Sequence, residues 1–106
     1  MFTLVIHAPK EKAERENKRS FEQTLISSIG DEYAIPRSSF AKLSTGCKVV
    51  LLCKDDKKQA EGKLVELVEK SKTANGIQRY DVHMKDLRLV PYKSEALGRT
   101  GIAVIG

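Results

Sequence analysis

Four bulky apolar residues in a row, Val49-Val50-Leu51-Leu52, constrain this chain more than any other stretch. A strand with one wet face alternates apolar with polar residues, so an unbroken run needs cover on both faces. The run is short and starts with a β-branched pair. Ser44-Thr45-Gly46 precedes it and Lys54-Asp55-Asp56-Lys57-Lys58 comes after it. Those flanks predict a central strand over 47–53 rather than a piece of helix.

The rest of the chain is read around that strand. Phe2 to His7 alternates as an opening strand, which Ala8-Pro9 ends because proline cannot continue a ladder. Lys10 to about Ile29 predicts one long helix: a charged first half with Glu11–Arg15 and Glu14–Lys18 at i,i+4, then a stripe of Phe21, Leu25 and Ile29. Gly30 stands where its C-terminal cap belongs. Tyr33-Ala34-Ile35 reads as an extended piece, and Pro36 opens a short helix running through Phe40 to Leu43. Between Ala60 and Lys70, Leu64, Leu67 and Val68 fit helix spacing as well as strand. A strand bent at Gly62 is preferred. Asn75-Gly76 is a hairpin signal. Gln78 to Met84 then alternates, Lys85-Asp86 marks a turn or bulge, and Leu87 to Val90 runs on until Pro91. After a loop over 92–101, Ile102 to Ile105 forms a last strand, expected beside strand 2–7 or the central strand.

This element order predicts one domain over 1–106 of the α+β class, a small partly closed β-barrel with one long and one short helix. No apolar run approaches the roughly 20 residues of a membrane helix, and the N-terminus lacks the basic start and long apolar stretch of a signal peptide. A cytoplasmic protein with no membrane association is expected. Cys47 and Cys53 lie about 20 Å apart on an extended strand, while a disulfide needs Cα atoms within about 7 Å. They are read as buried reduced thiols. With two histidines and these separated cysteines, neither a metal site nor a cofactor is expected. No phosphate-binding glycine loop, zinc-protease motif or nucleophile elbow is present, so no catalytic residue is assigned.

Three stretches resemble the PUA-like superfamily, which includes the PUA, ASCH and EVE domains. They are Leu43-Ser44-Thr45-Gly46-Cys47-Lys48-Val49-Val50-Leu51, similar to an L-x-x-G-x-x-V lead into a core strand; Ala60-Glu61-Gly62-Lys63-Leu64-Val65, similar to its paired strand; and Arg79-Tyr80-Asp81-Val82. The resemblance implies a pseudobarrel whose concave side holds RNA, a modified base or a nucleotide-like ligand. The chain departs from the family in lacking the ASCH combination of arginine with spaced glycines, and in having no Trp for an aromatic base cage.

Charge points the same way. Nineteen Lys and Arg against fourteen Asp and Glu give a net charge of +5, which attracts polyanions when gathered on one face and serves solubility when scattered. Lys42, Lys54, Lys57, Lys58 and Lys63 fall at the ends of the central hairpin, and Arg37, Arg79 and Arg88 supply guanidinium planes. Arg37-Ser38-Ser39 opens the short helix, as an anion-holding turn or as ordinary serine capping. Tyr33 and Tyr92 are the aromatics least committed to the core and so are candidates for base stacking. The expected function is non-enzymatic binding of RNA or a nucleotide-type ligand through Arg37, Ser38, Ser39, Lys42, Lys54, Lys57, Lys58, Arg79 and Tyr33. The alternative is a protein-interaction or homodimerisation module that binds no nucleic acid.

Overall fold

The computed structural model describes residues 2–9, 19–93 and 102–106. In chain order the elements are β1 (Thr3–His7), α1 (Phe21–Ser27), β2 (Ile29–Ala34), α2 (Arg37–Phe40), β3 (Lys48–Cys53), β4 (Lys58–Lys72), β5 (Gln78–Val90) and β6 (Ile102–Ile105). All six strands join one mixed sheet in the order β2-β5-β4-β3-β1-β6. Among the described residues the fold is a small, mostly-β domain: a curled half-barrel sheet with two short helices.

The apolar run sits at the centre of the sheet, as expected. β3 pairs parallel with β1 on one side and antiparallel with β4 on the other. Val49, Leu51 and Cys53 enter the main core with Leu4, Ile6, Phe21, Ile35 and Val82, while Val50 and Leu52 join Val5 on the opposite face. Cys47 and Cys53 are free, buried thiols in the main core. The last strand takes the first of its two expected places, antiparallel to β1.

The long helix is not formed. Its expected first half, up to residue 18, lies outside the described residues. α1 begins at Phe21, capped by Ser20, whose backbone is extended and whose side chain accepts from Gln23 N–H while the Gln23 side chain accepts from Ser20 N–H. Such a capping box defines a helix start, so no helix runs continuously through Ser20. The other end is set by Ser28 in the left-handed conformation, not by Gly30. Ile29 and Gly30 go to β2, where Gly30 lies so close to the Tyr33 ring that a Cβ would meet it at 2.8 Å.

Bulges curl the sheet. The β4–β5 register shifts between Glu61 and Lys63, between Leu64 and Glu66, and between Glu69 and Lys72. An extra residue on one strand bends it and increases its twist. The first shift falls at the Lys85-Asp86 position expected to turn or bulge, where Asp86 has φ 56°. Opposite it, a Cβ on Gly62 would stand 2.7 Å from the Lys85 carbonyl oxygen and 3.0 Å from Leu87 Cδ2. Gly62 therefore bends β4 by leaving room for the bulged strand. The Asn75-Gly76 hairpin forms with a loop over 73–77: Gly76 N–H donates to Thr73 O, Thr73 N–H donates to Ile77 O, and Gly76 has φ 81°.

Because backbone and not a movable side-chain tip blocks position 62, Gly62→Ala is expected to lower unfolding free energy by about 1–3 kcal/mol, measured by urea denaturation. A variant as stable as the parent would show that the bulge does not depend on the missing Cβ.

Candidate nucleic-acid interface

The residues expected to form one site occupy separate places. Arg37, Ser38 and Ser39 lie on α2, a single turn whose N-cap is Pro36, with no side-chain cap. Neither serine caps the helix, in contrast to the capping alternative. Phe40 fastens α2 to the sheet by stacking on Tyr80, with ring centroids 5.0 Å apart and planes at 18°. Arg79 is on β5 opposite Ala34 of β2. Lys54 and Lys57 occupy the β3–β4 turn, and Lys58 begins β4. Lys58 Nζ bonds Glu22 Oε1 at 3.0 Å, and that bond raises the pKa of the exposed ammonium. Lys42 lies over the Phe2 ring at 5.4 Å, and Phe2 precedes the β1 residue paired with Lys48. Lys42 and Lys63 thus belong to the Lys48 end of β3, and Lys54, Lys57 and Lys58 to the Cys53 end, about 16 Å away along the strand.

Tyr33 needs correction as a stacking residue. It is only 3% exposed, and its hydroxyl donates to the His7 carbonyl oxygen at 2.8 Å. Burial, and secondarily the negative charge of Asp31, hold its phenol pKa well above the ordinary value. The Asp31 carboxylate is itself held by Arg19, through both the backbone N–H and the guanidinium. The ring ties β2 to the end of β1 and has no face for a base.

The face opposite the main core carries a different basic arrangement. In register, Thr3 lies opposite Lys48, Lys48 opposite Lys63, and Lys63 opposite Lys85. Directly paired residues project from the same face, so three lysines stand side by side across β3, β4 and β5. One row along, Val5, Val50, Glu61 and Arg88 are paired in the same way. Lys48 Nζ bonds Glu61 Oε1 at 2.9 Å. Among the described residues no ion pair involves Lys63, Lys85 or Arg88.

Lys48, Lys63 and Arg88, though not Lys85, line a groove of about 640 Å3 together with Gly46, Glu61, Gly62 and Asp86. Gly46, with φ 89°, makes the turn into β3, and its N–H donates to Leu64 O at 2.8 Å. Asp86 is brought to the groove by the β5 bulge. Two carboxylates only partly offset the cations, so the rim can hold an anion at several points. Among the described residues, no three His, Cys, Asp or Glu side chains gather as ligands for a metal ion. None of the described helices is long and apolar enough to cross a membrane.

In the sequence Lys63 falls among the lysines at the hairpin ends but outside the expected site, and neither Lys48 nor Lys85 is marked. The Lys48–Lys63 pairing is implied once the hairpin turn is placed at 54–57. Lys85 joins only through the bulge at 86. Compared with known protein families, curated proteins and solved structures, the chain matches none.

Tyr33 yields a test of its buried state. Its folded pKa lies above the ordinary 10.0, so its stabilising contribution is complete below pH 10 and is lost as the unfolded chain ionises above it. Stability should therefore fall as pH rises above about 10. Tyr33→Phe should reduce stability by about 1 kcal/mol at neutral pH and flatten the alkaline decline, both measurable by denaturant titration at stepped pH. An unchanged alkaline slope in the Phe variant would exclude Tyr33 as its source.

Proposed function

We propose that the chain is a non-enzymatic RNA-binding domain that holds phosphates on the Lys48–Lys63–Lys85 row. The observation that carries this reading is the row itself. Like charges directly opposite on neighbouring strands destabilise a sheet by roughly 0.2–1 kcal/mol per pair, and Glu61 partners only the first of the three. An arrangement that works against stability is accounted for by an anionic ligand that neutralises it. Arg88 adds a planar, bidentate donor at the groove. A curled sheet is also the coarse architecture that the PUA-like resemblance implies; that resemblance implies a ligand on the concave side, whereas the lysine row proposed here lies on the face opposite the main core. Two buried free thiols fit a reducing compartment, and the cytoplasm is the proposed location.

Fluorescence anisotropy with a labelled RNA at stepped salt tests the proposal. Lys63→Gln should weaken binding and make the slope of log affinity against log salt shallower by about 0.7–0.9. The same substitution removes two like-charge oppositions, so the melting temperature should hold or rise. Arg37→Ala should do less; a larger loss from Arg37→Ala would move the site to α2. No binding at low salt would end the RNA reading.

One observation favours self-association as a second reading. Among the described residues β6 is the last strand in the sheet order, and its Ala103-Val104-Ile105 carries no charge to discourage pairing with another copy. Sedimentation that stays monomeric over a wide concentration range would remove it.

A further inference from the structure

The lysine row continues into an apolar area on the same face, and a tyrosine borders it. Pro91 ends β5, and Lys93 N–H donates to Gln59 Oε1 at 2.9 Å, fastening the segment after Pro91 to β4. Between them, Tyr92 packs on the cluster of Val5, Val50 and Leu52. Val50 is two residues along β3 from Lys48 and directly opposite Glu61 of the groove. Tyr92 therefore rests on side chains immediately beside the basic row.

The other aromatic rings are committed elsewhere. Phe21, Tyr33 and Tyr80 are buried in the main core. Phe40 stacks on Tyr80, and Phe2 lies beneath the Lys42 ammonium. Tyr92 remains partly exposed, on the same face as the lysines.

We infer that the ligand is a single strand, with one base stacked on Tyr92 and adjoining phosphates on Lys48, Lys63 and Lys85. The inference rests on the phosphate-binding reading of the same face. A duplex keeps its bases stacked on each other and offers this face only its backbone, whereas an unpaired base presents a π-face to an aromatic side chain. The aliphatic platform of Val5, Val50 and Leu52 supports the ring from beneath. Three lysines on neighbouring strands, about 4.8 Å apart from strand to strand, offer a track for successive phosphates.

The test is anisotropy of a labelled oligouridylate of about 12 nucleotides and of an RNA duplex of the same length. The proteins are the full chain, Tyr92→Phe and Tyr92→Leu; leucine keeps apolar cover over Val50, and phenylalanine keeps the ring. The expected result is tighter binding of the single strand. Tyr92→Leu should weaken it about tenfold without altering the salt slope, and Tyr92→Phe should leave it near the parent value. Because the chain has no Trp, tyrosine emission is directly readable. Oligouridylate should quench it in the parent and much less in Tyr92→Phe. If Tyr92→Leu binds the single strand like the parent, or the duplex binds as tightly, stacking is overturned. Should Lys63→Gln still weaken both ligands in that case, the phosphate reading survives. If neither ligand binds, both readings fall together.

Discussion

Cover on both faces of β3 is the constraint on which the rest of the structure depends. Val49 and Leu51 on one side and Val50 and Leu52 on the other are each no more than 8% exposed. A strand can reach that state only inside a sheet that is packed on both faces. Here β1 lies parallel on one flank and β4 antiparallel on the other. A parallel neighbour cannot be reached by a tight turn, because the chain must leave the sheet and return in the same direction. The intervening α1, β2 and α2 make that excursion, and they supply Phe21, Tyr33 and Ile35 to the main core on the way. Tyr33 closes the route by donating to the His7 carbonyl at the end of β1.

The same arrangement produces the basic row. Once β3 and β4 are locked by their apolar residues, Lys48 and Lys63 have no choice of face. Core packing places Val49 and Leu51 inward, and the two-residue alternation of the strand then projects Lys48 outward. The Glu61 carboxylate relieves one contact, and among the described residues its ion-pair partner is Lys48. The β5 bulge brings Asp86 into the groove and fixes where Lys85 and Arg88 fall relative to β4. Fold and candidate interface are thus two consequences of one register.

Much of the strand pattern was legible because it rests on short-range chemistry. The apolar run, Asn75-Gly76, the alternation from Gln78 to Met84 and the stop at Pro91 each specify a local backbone state that the structure retains. The long helix was misread because a charged stretch with good i,i+4 pairs scores as helix whether or not it is continuous with the amphipathic residues after it. Ser20 and Gln23 are also ordinary helix residues until their reciprocal hydrogen bonds make them a start. Tyr33 reads as uncommitted to the core in sequence because the short extended piece Tyr33-Ala34-Ile35 shows no partner strand. Its ring joins a core that includes Leu4 and Ile6, and its hydroxyl reaches the His7 carbonyl, all more than twenty residues earlier.

By itself the sequence determined that a central strand must be covered on both sides, that a bent hairpin comes after it, and that the chain carries excess positive charge. Periodicity, turn chemistry and composition act locally and need no partner strand to be read. The turn at 54–57 implies the Lys48–Lys63 pair, and only the tertiary structure adds Lys85 to it. Lys54, Lys57 and Lys58, close in sequence, stand at one end of β3 away from Lys42. Lys48, Lys63 and Lys85, scattered over thirty-seven positions, lie in one line. Charge proximity depends on strand register, and each bulge shifts register by one residue. A local pattern can mark where a bulge falls, as at Lys85-Asp86, but the strand it pairs with and the resulting register are set by long-range packing.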